Sequence, residues 1–132
     1  MDLAQFDLQA LADKGIEVDL VHPVTEELLE ENGKGVTIKI LGMDSGKWQQ
    51  VAKRIRARNA NKYRNKEVPP SETEKNLVEI AAQCTLSWTN IEYNDGALKC
   101  NAENALMLYQ KRTWIAQQVL NAATDRSNYL KD

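Results

Sequence analysis

The sequence contains few of the residues that build metal sites, disulfides and nucleophilic catalytic sites. Of its 132 residues only two are cysteine and one is histidine, and Cys84 and Cys100 are sixteen positions apart with no CxxC pair. A structural zinc site needs four cysteine or histidine ligands, which a single copy of this chain cannot supply. We therefore expect no metal, no cofactor and two free, mostly buried thiols in a reducing compartment.

Long apolar runs and a strong net charge are missing as well. No stretch approaches the roughly 18 apolar residues of a membrane span, and the N-terminus MDLAQFDLQ lacks the basic start and apolar middle of a secretory signal. The net charge is −2, from 17 basic and 19 acidic side chains, which argues against a chain whose main role is to coat nucleic acid. These absences predict a cytoplasmic protein with no membrane partner.

Catalytic motifs could not be found. His22 directly precedes a proline at the end of a predicted strand, where a structural role is expected. The pairs Glu26-Glu27 and Glu30-Glu31 lie in a polar loop, where nothing would raise a carboxyl pKa. The run from Asp44 to Lys47 lacks the first glycine and the following Ser or Thr of a P-loop. The sequence therefore predicts a protein that interacts with other macromolecules and is not an enzyme.

The residues that are present suit one globular domain over 1–132, because 42% of them are hydrophobic. Apolar and polar residues alternate over 16–20 and again over 36–41. This period of two predicts an antiparallel β-hairpin spanning 16–42, with a long connection at 23–35. A two-stranded hairpin is marginal alone, so its apolar face must dock on helices or on another subunit.

Helical periodicity dominates the remainder. Asp44-Ser45 offers an N-cap for a basic helix predicted over 44–66. A capping box at Ser71 to Glu74 opens an amphipathic helix predicted over 71–88. Two further helices are predicted over 101–130, meeting at Thr113-Trp114. The predicted fold class is α+β, mostly α-helical with about four helices and a small N-terminal antiparallel β-hairpin.

The basic helix has two interpretations. Eight Lys and Arg side chains between residues 47 and 66 could follow a phosphate backbone, which would make the chain a nucleic-acid-binding module. Alternatively, they form a solvated face whose charge nearby acids balance. The second interpretation is favoured, because no aromatic residues are interleaved for base stacking. The acids expected to balance the helix are Glu26, Glu27, Glu30, Glu31, Glu72, Glu74 and Glu79.

Three short motifs carry a resemblance to a known family. They are Gly42, Asp44 and Ser45 in a GxDS sequence, the segment Trp88-Thr89-Asn90-Ile91, and the run from Glu103 to Leu130. In this order, around the hairpin and the basic helix, they resemble the small tail assembly chaperones of long-tailed bacteriophages and prophages. The likeness covers most of the chain, although the acidic run TEELLEEN makes the hairpin connection longer than the compact turn expected of that family.

The resemblance implies a non-enzymatic role in tail morphogenesis. Such chaperones are thought to bind the long tape measure protein, keep it soluble and recruit tail tube subunits, and they are absent from the finished virion. Their need is physical, because a very long helical polypeptide with an exposed apolar stripe aggregates unless that stripe is covered. The implied partners are the tape measure protein and the tail tube protein, in the host cytoplasm. Self-association into a homo-oligomer and a structural head-tail joining role both stay open.

The docking surface for such a partner is predicted on the two C-terminal helices and beside two other tryptophans. The same apolar residues could instead pack in the core, so the prediction requires Tyr109 or Trp114 to be exposed. Asp125 and Arg126 are expected to cap or pair near the last helix. The predicted protein-binding residues are Tyr109, Trp114, Ile115, Val119, Trp48 and Trp88.

Overall fold

Helices and small antiparallel sheets alternate along residues 1–130, the part of the chain that the computed structural model describes. The fold class is α+β, as predicted, with five α-helices within these residues instead of about four. The helices are α1 (Leu8–Asp13), α2 (Gly46–Tyr63), α3 (Pro70–Cys84), α4 (Ala102–Lys111) and α5 (Thr113–Thr124). The strands are β1 (Ile16–Asp19), β2 (Glu30–Glu31), β3 (Lys34–Gly35), β4 (Thr37–Ile40), β5 (Thr85–Thr89), β6 (Glu92–Tyr93) and β7 (Gly96–Ala97).

The largest sheet has three strands in the order β1-β4-β5. β1 and β4 pair antiparallel, with Ile16 opposite Ile40 and Val18 opposite Ile38. This antiparallel pairing was predicted, but the sheet is larger than the predicted two-stranded hairpin, because β5 pairs antiparallel with the other side of β4. Since two strands alone are marginal in water, the third strand and the packing of α5 on β1 and β4 stabilise the pair.

The prediction of one helix over 71–88 is wrong at its C-terminal end. The helix begins at Pro70, whose fixed φ suits the first helical position, and no side chain caps it, so the predicted capping box does not form. It ends at Cys84, after which residues 85–89 form β5. The four-residue spacing from Cys84 to Trp88 imitates a helical stripe, but the open edge of β4 recruits this Thr-rich segment as a strand.

The basic helix and the C-terminal helices lie within their predicted ranges. Ser45 caps α2, since its Oγ accepts a hydrogen bond from the backbone N–H of Trp48 at 3.2 Å. Trp48, Val51 and Ile55, which are spaced three and four positions apart, form the buried face of α2. The C-terminal pair breaks at Arg112, between α4 and α5.

The long connection after β1 is ordered by its own hydrogen bonds. Nδ1 of His22 accepts from the backbone N–H groups of Val24 and Thr25 at 3.1 and 3.2 Å, a structural use of this histidine. β2 and β3 then form a tip that turns at Asn32-Gly33, both with positive φ. The acidic run therefore ends in a second, smaller hairpin.

The core lies where α5 packs against both the sheet and α3. It is apolar and includes side chains from every layer of the fold. No helix within residues 1–130 combines the length and apolar character that membrane crossing requires. The largest fully buried side chains are those of Tyr109, Leu20, Ile38, Ile40, Val119, Cys84 and Ser45.

Candidate protein-docking surface

Tyr109 is a core residue with no exposed surface. Its hydroxyl lies 2.7 Å from Oγ1 of Thr85, which itself donates to the carbonyl of Ala81 at 2.8 Å. Because the Thr85 hydroxyl has one hydrogen, Tyr109 is the donor of the first bond. Burial raises the pKa of Tyr109 above its ordinary value, so the phenol stays protonated and joins α4 to the start of β5.

Three more of the predicted binding residues also pack inside the fold. Trp48, Ile115 and Val119 are at most 5% exposed, on the inner faces of α2 and α5. With Tyr109, they supply packing and offer a partner almost no surface in the folded chain. These residues were predicted from an amphipathic pattern, and that pattern occurs in any helix that buries one face.

Trp114 and Trp88 are only partly buried and keep surface that a partner could contact. Trp114 lines a small cleft of about 230 Å³ together with Leu29, Val36 and Ile91, where the hairpin connection approaches α5. Trp88 donates from Nε1 to the carbonyl of Leu98 at 2.8 Å, which fixes the small β6-β7 hairpin beside the sheet. Of the six predicted residues, these two remain the accessible ones.

A larger groove, the α3–α5 groove, was not predicted. It occupies about 570 Å³ between α3 and α5, and a second cavity of about 410 Å³ extends it towards α4. Leu77, Val78, Ala116 and Leu120 give it an apolar lining. Its charged lining residues are one acid, Glu74, and one base, Lys75. The polar residues of the two cavities are Ser71, Glu74, Lys75, Gln110, Thr113, Gln117, Asn121 and Thr124.

The opposite side of α3 has its own groove, the α2–α3 groove, of about 380 Å³. Leu77 contributes to both grooves and is 39% exposed, so it forms the ridge between them. Asn59 lies in the wall with a buried Oδ1 atom that has no hydrogen-bond partner among residues 1–130. The other lining residues are Met43, Trp48, Gln49, Ala52, Ile55, Arg56, Val68, Thr73, Asn76 and Ile80.

The charge of α2 is balanced in part by α3. Arg58 pairs with Glu79 at 3.3 Å and Lys62 with Glu72 at 3.6 Å. Two of the seven acids predicted to balance the basic helix therefore do so, and the other five form no salt bridge with α2 in the described part of the chain. Residues 46–84 contain nine basic and four acidic side chains, a net charge of +5 in a chain whose total is −2.

Two of the family-like motifs meet in the structure. Arg126 donates to Asp44 of the GxDS sequence, and so does the hydroxyl of Tyr129. Asp125 accepts from the backbone N–H of Ser127 at 3.0 Å and caps the final 3-10 helix, Arg126–Asn128. Capping and pairing were expected of Asp125 and Arg126, but nothing in the sequence indicated Asp44 as the partner of Arg126.

The Trp88-Thr89-Asn90-Ile91 motif also makes a long-range contact. Asn90 has φ 65° and donates from Nδ2 to the carbonyls of Glu31 and Lys34 at 3.1 and 3.0 Å. It thus fixes the β2-β3 tip to the end of β5. Each of the three motifs makes contacts within the fold. The motifs therefore carry the family resemblance, but they do not locate a docking surface.

Comparisons with protein-family models, curated proteins and solved structures found no match for this chain. Within residues 1–130, no group of three or more His, Cys, Asp or Glu side chains is placed to hold a metal ion. The described part of the chain presents two grooves, the basic face of α2 and two partly exposed tryptophans at its surface.

Proposed function

We propose that this chain is a phage tail assembly chaperone that binds the tape measure protein and helps recruit tail tube subunits during tail morphogenesis. It would act in the host cytoplasm and leave before the virion is complete. The observation that carries the proposal is the pair of grooves on either side of α3, which are open to solvent and meet at the exposed ridge of Leu77. The motif resemblance supplies the identity of the client.

The grooves suit a helical client. A helix with an apolar stripe binds by placing side chains at i, i+4 and i+7 into a groove of this kind. α5 has 12 residues, which is about 18 Å of helix and matches about three turns of a client. A tape measure protein offers many such segments in succession, so several copies of the chaperone could cover its stripe.

The expected strength of this contact suits a temporary chaperone. Three apolar anchors would contribute roughly 5–9 kcal/mol from burial, before the cost of association is subtracted. The net binding free energy that remains favours reversible binding, so that polymerising tail tube subunits can displace the chaperone. Trp114 and Trp88 stay in the proposal as secondary contacts, because each keeps exposed surface beside a cleft or hairpin.

Co-expression with the tape measure protein from the same genome tests the proposal. The wild-type chain should keep the tape measure protein soluble and co-purify with it, and Leu77→Gln should abolish both effects. Leu86→Gln is the matched control, because Leu86 is also an exposed leucine, at 46%, but lies on β5. A tape measure protein that is equally soluble without this chain, and never co-purifies with it, would refute the proposal.

Purified particles provide the second test. A chaperone leaves the assembly, so mass spectrometry of complete virions should find no stoichiometric amount of this chain. Abundant copies in virions would instead indicate a structural component such as a head-tail joining protein.

A further inference from the structure

We infer that the α2–α3 groove is the docking site for an acidic amphipathic helix. The inference deepens the proposed function, on which it rests for the assumption that the client is helical. It states which of the two grooves binds the client and which charge the client carries. Two observations support it: the apolar lining of the groove and the charge of the surrounding surface.

The floor of the groove is apolar and closed at its base. Trp48, Ile55 and Ile80 are buried beneath it, and Leu77 forms one rim. Ala52 is the small, partly buried residue on α2 that leaves room above this floor. A stripe of leucine-sized side chains from a client helix would therefore contact the apolar lining residues that keep exposed surface, which are Met43, Ala52, Val68 and Leu77.

The surface around the groove attracts anions. The segment 46–84 has a net charge of +5, and Arg56 on the groove wall forms no hydrogen bond or salt bridge with any of residues 1–130. Its neighbours Arg54 and Arg58, in contrast, are held by Gln83 and Glu79. An acidic side chain beside the apolar stripe of the client would form an ion pair with Arg56.

Neither the other groove nor nucleic acid fits these observations as well. The α3–α5 groove is lined by one acid and one base, so it selects no charge. Nucleic acid would use the cations but leave the apolar floor unused, and Trp48, at 5% exposure, cannot stack on a base. An acidic amphipathic helix would contact both Arg56 and the exposed apolar residues of the groove, such as Leu77.

Two synthetic helical peptides of about three turns test the inference directly. They share one leucine stripe and differ only in flanking residues, which are glutamate in one and lysine in the other. The full chain should bind the glutamate peptide at least about tenfold more tightly than the lysine peptide in an anisotropy titration. Equal affinities, or no binding of either peptide, would overturn the inference.

Two charge reversals locate the contact. Arg56→Glu should weaken binding of the glutamate peptide about tenfold and improve binding of the lysine peptide. Lys53→Glu makes the same change on the same helix but outside the groove lining, so it should weaken binding by less than about threefold. Equal losses in the two variants would mean that only the general charge of α2 matters, which would refute docking in the groove.

Salt-sensitive binding of a single-stranded oligonucleotide, with no peptide binding, would assign the basic face of α2 to nucleic acid.

These outcomes are distinguishable from failure of the proposed function. If the glutamate peptide binds through Arg56 but the tape measure protein never co-purifies, the groove inference stands and the function fails. If the tape measure protein co-purifies equally with Arg56→Glu, the function stands and the inference fails.

Discussion

Arg126 forms a two-pronged ion pair with Asp44, 82 positions earlier in the chain, through Nε to Oδ2 at 2.8 Å and Nη2 to Oδ1 at 3.0 Å. The hydroxyl of Tyr129 donates to the same carboxylate. Because Asp44 immediately precedes Ser45, the N-cap of α2, these contacts fix the C-terminal segment to the start of that helix. Residues that looked like separate sequence motifs therefore form one structural cluster.

This cluster predicts how stability depends on acid. The hydrogen bond from Arg126, aided by that from Tyr129 and opposed by burial, holds the pKa of Asp44 below its ordinary 3.8. A depressed pKa in the folded state means that the stabilisation is full above pH 3.8 and is lost as the pH falls through the lower folded value. Asp44→Asn should therefore lower the free energy of unfolding at neutral pH, by no more than about 1 kcal/mol because solvent screens the half-exposed Arg126.

Urea unfolding of both proteins across the acidic range checks this expectation. The two stability curves should run parallel near neutrality and converge below pH 3.8, where Asp44 becomes protonated in both states. A constant difference down to the lowest pH would show that the asparagine acts through packing and not through the lost charge.

Gly42 is required because the ring of Tyr129 lies against its backbone. A Cβ at position 42 would lie 2.7 Å from Cε1 of Tyr129 and 3.0 Å from Cβ of Ala12. Gly42→Ala should therefore destabilise the chain by about 1–3 kcal/mol, as an overpacked core position does. Gly96→Ala is the control, because nothing lies within 4 Å of a Cβ there, and it should change stability by less than about 0.5 kcal/mol. Thermal unfolding of both variants and the wild type tests this prediction. Equal unfolding midpoints for Gly42→Ala and the wild type would contradict it.

Local sequence signals predicted the elements that depend on near neighbours in the chain. The N-cap at Ser45 predicted the start of α2, and the structure confirms it. Trp48 and Val51, three positions apart, lie on the buried face of this helix. Asn101 likewise caps α4, since its side chain accepts from the backbone N–H of Asn104 at 2.8 Å. These interactions span three or four residues, so the local pattern contains all the information needed.

Distant pairings could not be predicted in the same way. β5 exists because β4 offers an open edge, as in the bond from the Leu41 N–H to the Cys84 carbonyl at 3.0 Å, and nothing within 85–89 specifies that edge. The two grooves beside α3 could not be predicted for a related reason. Periodicity identifies an apolar face, such as that of Tyr109 and Ile115, but cannot tell whether the core or a partner covers it. Grooves form between helices, and their positions depend on the whole fold.

The two thiols should differ in reactivity. Cys84 is fully buried, and burial raises its pKa to about 11, whereas Cys100 is only partly buried, with a pKa raised by the same cause. Since the thiolate is the reactive form, a chromogenic disulfide reagent at about pH 8 should label Cys100 slowly and Cys84 only after unfolding. In Cys100→Ser, the native chain should show no labelling until denaturant is added. Labelling of both thiols at one rate in the native protein would contradict the burial of Cys84.

Gln118 closes the exposed edge of β1 beyond its last residue. The backbone N–H of Leu20 bonds to Val36, so the next residue, Val21, directs its backbone groups away from β4. Gln118 satisfies both of them, since its Oε1 accepts from the Val21 N–H at 2.9 Å and its Nε2 donates to the Val21 carbonyl at 3.0 Å. The side chain thus acts as a substitute for a neighbouring strand.

Removing this substitute should weaken the sheet and expose its edge. Gln118→Ala leaves two part-buried backbone groups of Val21 unpaired, which should lower the free energy of unfolding by about 1–3 kcal/mol. Gln117→Ala, an adjacent exposed position on α5, is the matched control and should be near neutral. Hydrogen exchange should show loss of protection at the Val21 amide in the first variant alone. Because an open strand edge is a template for pairing with another chain, that variant should also aggregate at lower concentration. If Val21 stays protected in Gln118→Ala, another group must satisfy the edge.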